Sequence, residues 1–294
     1  MPDGQREGLP FTKMQAVGND FVLVDERDWP EGTNWPQIAI KMCDRHFGVG
    51  ADGFIVVSPS QVADAGMQFF NPDGTPDMCG NGLRCVAAYT FPDGSQHSPS
   101  KHISIESPVG VHQGSSHDGK LWTLTMGHPR FVPKHVPVLL PSEDALNYTL
   151  SVDGESLIAS SVFVGSTHTV LFTERLPSDN DFQRMSPLIE SHPLFPERTS
   201  VIWVAPVHNP DANCLGFVVR IWERGVGETL GCGTGALAVC VLAQATKRTD
   251  HEKIAIHSRG GELFPEYSFG STNKEMTLGG EAHLVFRGVW HGEG

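Results

Sequence analysis

Two stretches decide how the chain is read: MQFFNPDGTPDMCGNG, from Met67 to Gly82, and RIWERGVGETLGCGTG, from Arg220 to Gly235. They align without a gap at a constant offset of 153, and three glycines and a cysteine coincide. Earlier in each half, AVGNDF (Ala16 to Phe21) aligns with FVGSTH (Phe163 to His168) at an offset of 147. Offsets near half of the 294-residue length imply duplication into two similar domains. A pseudo-twofold axis between such domains would bring equivalent loops face to face across one cleft, with Cys79 and Cys232 as the equivalents.

Outward from these stretches, Gly and Pro separate short β-type runs: Phe21 to Val24, Phe54 to Val57, Met67 to Phe70, Val162 to Val164, Val201 to Val204, Phe217 to Trp222 and Glu281 to Trp290. Helical periodicity is clearest in Trp35 to His46, Gly82 to Tyr89, Phe182 to His192 and Gly235 to Lys247. The pattern predicts an α+β fold. The segment from His112 to Asn147 is rich in Gly, Pro, Ser and His, which places the domain crossing near residue 128. The expected domains are 1–128, to which the strand 279–294 returns, and 129–278.

Composition narrows the function. Against 21 basic side chains stand 34 acidic ones, a net charge of −13 that opposes nucleic acid and anionic membrane surfaces. The longest apolar run, Ala236 to Ala243, has 8 residues, far short of the roughly 20 a spanning helix needs. The first residues carry no signal-type apolar stretch, so a cytoplasmic location is expected. Six cysteines are too sparse for a disulfide scaffold, and Cys43, Cys85, Cys214 and Cys240 read as core thiols. With no C-x-x-C and no H-E-x-x-H, no metal is expected, and no segment requires a pyridoxal cofactor.

In both halves a strand ends, a Gly-rich turn follows, and C-G-x-G runs into an apolar helix. Each thiol therefore stands at a helix N-terminus, where unpaired N–H groups and the dipole favour a thiolate that can act as a base. The N–H groups of Gly80, Asn81, Gly233 and Thr234 form two nests suited to one carboxylate. One thiolate and one thiol flanking the adjacent carbon would remove a proton on one face and return one on the other, inverting the centre. Two unrelated core cysteines are the plainer reading, and the repeated signature argues against it.

FTKMQAVGNDF (Phe11 to Phe21), DRHFGVGADG (Asp44 to Gly53) and the two cysteine segments resemble the diaminopimelate epimerase family of pyridoxal-phosphate-independent racemases and epimerases. The resemblance covers nearly the whole chain. It implies two pseudo-symmetric domains, each a mostly antiparallel sheet or barrel around a central helix, with the active site in the cleft. It implies that Cys79 and Cys232 are the catalytic bases, with His168 and Glu223 beside them. It further implies substrate contacts from Asn19, Asn71, Gly80, Asn81, Arg224, Gly233 and Thr234, a free amino acid as the partner, and room for a homodimer. Bland readings exist for several: a turn for Asn19, a solvated pair for Glu223 and Arg224, a core histidine for His168.

Two departures bear on the substrate. Ser166 and Ser200 stand where the family carries asparagines that hold the far end of diaminopimelate. The resemblance therefore implies LL- or meso-diaminopimelate as substrate, or a different or broader set of amino acids. A double-bond isomerase of the same fold and a silent amino-acid-binding protein are the other readings.

Overall fold

The computed structural model describes residues 8–91, 100–207, 216–270 and 274–292. The chain divides into two compact units, Met1–Leu124 with Glu281–Gly294, and Thr125–Gly280. The first holds β1 (Leu9–Ala16), β2 (Asn19–Asp25), α1 (Trp35–Cys43), β3 (Gly53–Ser58), β4 (Ala65–Phe70), β5 (Pro76–Asp77), α2 (Gly80–Thr90), β6 (Lys101–Ser107), β7 (Gly110–Ser116) and β8 (Leu121–Thr125, its last residue in the second unit). The second holds β9 (Tyr148–Val152), β10 (Glu155–Phe163), β11 (Thr167–Phe172), α3 (Asp179–Glu190), β12 (Ser200–Pro206), β13 (Gly216–Glu223), β14 (Gly227–Thr229), α4 (Gly233–Ala245), β15 (Ala255–Ser258), β16 (Gly261–Glu266) and β17 (Thr277–Glu281). The last strand, β18 (His283–Trp290), belongs to the first unit and pairs with β1.

The strand pairings of one unit reproduce those of the other step for step. β1–β2 is antiparallel, β2–β3 parallel, β3–β4 and β4–β5 antiparallel, β4–β6 parallel, and β6–β7 and β7–β8 antiparallel. In the same order β10–β11 is antiparallel, β11–β12 parallel, β12–β13 and β13–β14 antiparallel, β13–β15 parallel, and β15–β16 and β16–β17 antiparallel. Antiparallel β18 on β1 answers antiparallel β9 on β10. Register agrees too: Phe21 faces Gly53 and His168 faces Ser200, positions related by the offset of 147 read from sequence.

Each unit is organised around its cysteine-initiated helix. α4 is apolar on every side, with all but Thr234 of Gly233–Ala243 buried, and it packs on β10, β11, β12 and β16. α2 buries Gly80 through Ala87 and packs on β1, β4, β6 and β18. The outer helices have ordinary amphipathic character and side-chain caps: Asn34 accepts from Gln37 N–H to start α1, and Ser178 accepts from Asp181 N–H to start α3. α1 covers Val22, Val24 and Phe54, while α3 sets Phe182, Met185 and Ile189 against Val201 and Trp203.

One segment holds strands where its composition marks only a crossing, and one helix end needs correction. The 112–147 segment contains the end of β7 and all of β8, because its polar residues alternate with inward Trp122 and Leu124. α4 stops at Ala245: Lys247 takes φ 58, and the Lys247 and Arg248 N–H groups bond back to Gln244 and Ala243. Cys43, Cys85 and Cys240 are buried as expected, and Cys214 lies outside the described residues.

The third helical residue must be small in both units. A Cβ on Gly235 would stand 3.0 Å from Ile202 Cδ1 and 3.4 Å from the Cys232 sulfur; one on Gly82 would stand 3.2 Å from Ile55 Cδ1 and 3.4 Å from Cys79 Cβ. Ile55 and Ile202 are themselves equivalents at the offset of 147. Gly235→Ala is expected to lower unfolding free energy in urea by about 1–2 kcal/mol, overpacking outweighing the helix propensity gained, and Gly82→Ala by less.

Candidate active site

Cys79 is the N-cap of α2, with φ −133 and ψ 113, and its sulfur accepts the Gly82 N–H at 3.4 Å. The same thiol donates toward Asn19 Oδ1 at 3.9 Å, and buried Asn81 donates to that oxygen at 3.1 Å. Asn19 lies at the start of β2, after the turn at Gly18, where φ is 79. Its Nδ2 donates to Asp52 Oδ2 at 3.0 Å, and Arg45 holds the other Asp52 oxygen at 2.7 Å. A carboxylate only accepts, so Asp52 fixes which end of the Asn19 amide faces the thiol. Asn71 sits in the β4–β5 turn and donates its amide to Thr75 Oγ1 at 3.1 Å. Its bonds brace the turn and do not reach Cys79.

Cys232 repeats the cap on α4 with φ −129 and ψ 117, its sulfur accepting the Gly235 N–H at 3.3 Å and lying 3.4 Å from Thr234 Oγ1. Its surroundings differ from those of Cys79. Burial pushes the Cys232 thiol well above the ordinary range, and the neighbouring Glu223 carboxylate pushes it further; the Thr234 and Gly235 hydrogen bonds offset only part. The expectation that a helix N-terminus brings both thiols down is therefore overturned for Cys232. Its donors act as expected, but desolvation and an adjacent negative charge outweigh them. Glu223, at the end of β13, is braced by Thr229 Oγ1 at 2.6 Å.

His168 on β11 is buried, with Nε2 2.8 Å from Ser166 Oγ and 2.9 Å from Thr234 Oγ1. Burial, assisted by the positive charge of Arg224, takes its pKa down to about 3, so the ring is neutral near pH 7. Among the described residues its buried Nδ1 has no hydrogen-bond partner, which suits the bare acceptor nitrogen of the tautomer that donates through Nε2. Ser166 Oγ also donates to Thr234 Oγ1 at 3.3 Å. The pair Ser166–Thr234 thus repeats Asn19–Asn81: in each unit the turn after the first strand of the repeat is tied to the second residue of the helix.

Ser200 and Arg224 form a separate group in the second unit. Ser200 Oγ accepts the Arg224 N–H at 3.1 Å, and Arg224 Nη1 donates to the Glu197 carbonyl at 3.0 Å. The turn carrying Arg224 hangs on a carboxylate that sequence reasoning missed. Buried Glu190 accepts from Trp222 Nε1 at 2.7 Å, from Gly225 N–H at 2.8 Å and from Arg198 at 3.1 Å. Nothing in the sequence marks Glu190, an acid at the end of an amphipathic helix. Asp52 was visible within DRHFGVGADG, and Arg84 as a lone charge inside an apolar helix.

The structure thus gathers Asn19, Cys79, Gly80 and Asn81 in one unit, and Ser166, His168, Glu223, Cys232, Gly233 and Thr234 in the other. Helical geometry leaves the N–H groups of Gly80, Asn81, Gly233 and Thr234 without intrahelical partners, ready for an anion. Among the described residues no His, Cys, Asp and Glu cluster is arranged to hold a metal, and no helix is long and apolar enough to cross a membrane.

The fold is shared with a solved epimerase structure. A hydroxyproline epimerase from Agrobacterium vitis superposes with a TM-score of 0.68 at 14% identity, covering 97% of this chain and 92% of that one. Sequence narrows the class further. The diaminopimelate epimerase family model matches residues 11–132 and 160–284. A diaminopimelate epimerase of Pelotomaculum thermopropionicum is 38% identical over 96% of this chain and 99% of its own length, and one from Desulfitobacterium hafniense is 38% identical over 96% and 98%. The chain belongs to the diaminopimelate epimerase family, a family of isomerases.

The neutral His168 has a measurable signature. Below pH about 6.5 the unfolded chain takes up a proton that folded His168 refuses until about pH 3, so stability is lost as pH falls through that window. Replacing it with Gln, which can still donate at the Nε2 position, should flatten the fall of Tm between these values relative to the parent chain. Parallel Tm curves for the two proteins would contradict the assignment.

Proposed function

We propose that the chain inverts the α-carbon of a free amino acid without a cofactor, using Cys79 and Cys232 as a base and an acid on one substrate. The observation that carries this reading is the duplicated cap. One cysteine in each unit opens a buried helix with the same backbone angles and the same N–H donation to sulfur. A thiolate removes the α-proton, and the partner thiol delivers its own proton to the opposite face; the sulfurs exchange roles and the centre inverts. The free N–H groups at the two helix starts hold the α-carboxylate and the charge that spreads into it as the C–H bond breaks.

The surroundings of the sulfurs favour a division of labour. Cys232, buried beside Glu223, rests as the thiol and supplies the proton. Cys79, only half-buried, serves as the resting base. Neutral His168 orients the Thr234 hydroxyl through Nε2.

For the substrate, the relatives' names and the guanidinium of Arg224 favour LL- or meso-diaminopimelate, whose distal carboxylate suits a cation. A second reading, an amino acid with a different side chain or a broader set, is favoured by Ser166 and Ser200. These hydroxyls are shorter than the family's asparagines and already bond within the protein, to His168 and to the Arg224 N–H. The double-bond isomerase reading is weaker, because both cysteine caps are intact.

The test is a panel of L- and D-amino acids with both diaminopimelate isomers, incubated in deuterium oxide and read by chiral chromatography and mass. The proposal expects deuterium at the α-carbon of inverted product, with diaminopimelate turned over fastest. Deuterium with another amino acid alone would select the second reading, and no α-exchange with any member would refute the reaction. Ser166→Asn with Ser200→Asn should raise kcat/KM for diaminopimelate relative to the other substrates if the serines set the breadth.

A further inference from the structure

Arg84 lies in the second turn of α2, five residues past Cys79, and is fully buried. The only side-chain hydrogen bond it makes among the described residues runs from Nη2 to Asn81 Oδ1, while Nε and Nη1 are buried without partners. A guanidinium taken out of water normally finds a carboxylate; this one has none among the described residues. Of the charged residues on the strands packed against α2, Lys13 is paired with Asp20, Glu106 accepts from Ser60, and Lys101 and Arg287 share its sign. Burial brings the Arg84 pKa down to about 10, and the charges that oppose this are the thiolate forms of Cys85 and Cys79.

The duplication shows that packing does not demand an arginine here. The equivalent residue of α4, at the offset of 153, is Leu237, also fully buried. The first unit keeps a cation where the second keeps a hydrocarbon. Cys85, the nearer thiol, is buried, with its pKa pushed above the ordinary range, so it stays protonated. That leaves Cys79 as the other neighbouring thiol whose anion the guanidinium would offset.

We infer that Arg84 is a positioning residue for Cys79: a buried cation that orients Asn81 against Asn19 and offsets the charge of the Cys79 thiolate. Asn81 accepts from Arg84 at Oδ1 and must therefore turn Nδ2 toward Asn19 Oδ1, the oxygen that the Cys79 thiol also addresses. When the thiol loses its proton, the negative charge develops near a guanidinium that no carboxylate among the described residues neutralises. The inference builds on the reading of Cys79 as a base, but its test needs no turnover.

The pH dependence of Cys79 alkylation by iodoacetamide, followed on its own peptide by mass spectrometry in the intact folded chain, reads the thiol directly. Arg84→Leu, which copies the second unit, and Arg84→Gln should each raise the midpoint by about one pH unit, slowing alkylation near neutrality about tenfold. Arg84→Lys, which keeps the charge, should stay within about threefold of the parent rate. Folded Leu or Gln variants with the parent midpoint would overturn the inference. Loss of folding in both neutral variants would also overturn it, by assigning the guanidinium to stability. An altered midpoint without any epimerase activity would keep this inference while defeating the catalytic reading.

Discussion

A cysteine sulfur accepting the N–H of the third residue of a buried helix is the interaction on which the rest of this protein depends. α4 is apolar on every side and α2 buries its first eight residues; each is wrapped by the sheet of its own unit, and its first turn cannot be satisfied by bulk water. Sulfur takes one of the orphaned donors, and the regular helical ladder begins only after it, with Leu83 N–H on the Cys79 carbonyl and Ala236 N–H on that of Cys232. The first two N–H groups are left over. The requirement that makes the helix stable inside its sheet thus leaves N–H donors beside a thiol. The tight fit of Gly82 and Gly235 against Ile55 and Ile202 holds that thiol in register with the strand below.

Duplication supplied two such caps, and divergence gave them opposite electrostatics. The helix position occupied by Arg84 in the first unit is Leu237 in the second, and the strand-end position occupied by Glu223 in the second is Phe70 in the first. His168 answers to Phe21, and Asp52 to Thr199. A cation behind one sulfur and a carboxylate beside the other break a symmetry that the backbone keeps almost intact. Under the proposed two-thiol reaction, such inequality would set which thiol carries the proton before substrate arrives.

Much of this was legible because repeats and glycine-bracketed caps leave strong marks. The offset of 153 located both cysteines and their helices, and the offset of 147 located the Asn19 and Ser166 turns. What escaped depends on burial and on partners distant in sequence. The upward shift of Cys232 comes first from desolvation, which no local motif encodes. Glu190 gathers donors from Arg198, Trp222 and Gly225, and only the folded chain shows that an unremarkable helix-end acid holds the Arg224 turn. β8 was hidden because its polar neighbours obscured the inward alternation of Trp122 and Leu124.

The account stands on both thiols being needed for inversion, and single replacements test that most directly. Steady-state inversion of the best substrate should fall by at least about a thousandfold in Cys79→Ala and in Cys232→Ala alike, with folding intact in both. Parent-level turnover in either variant would contradict a mechanism in which each unit contributes one proton carrier.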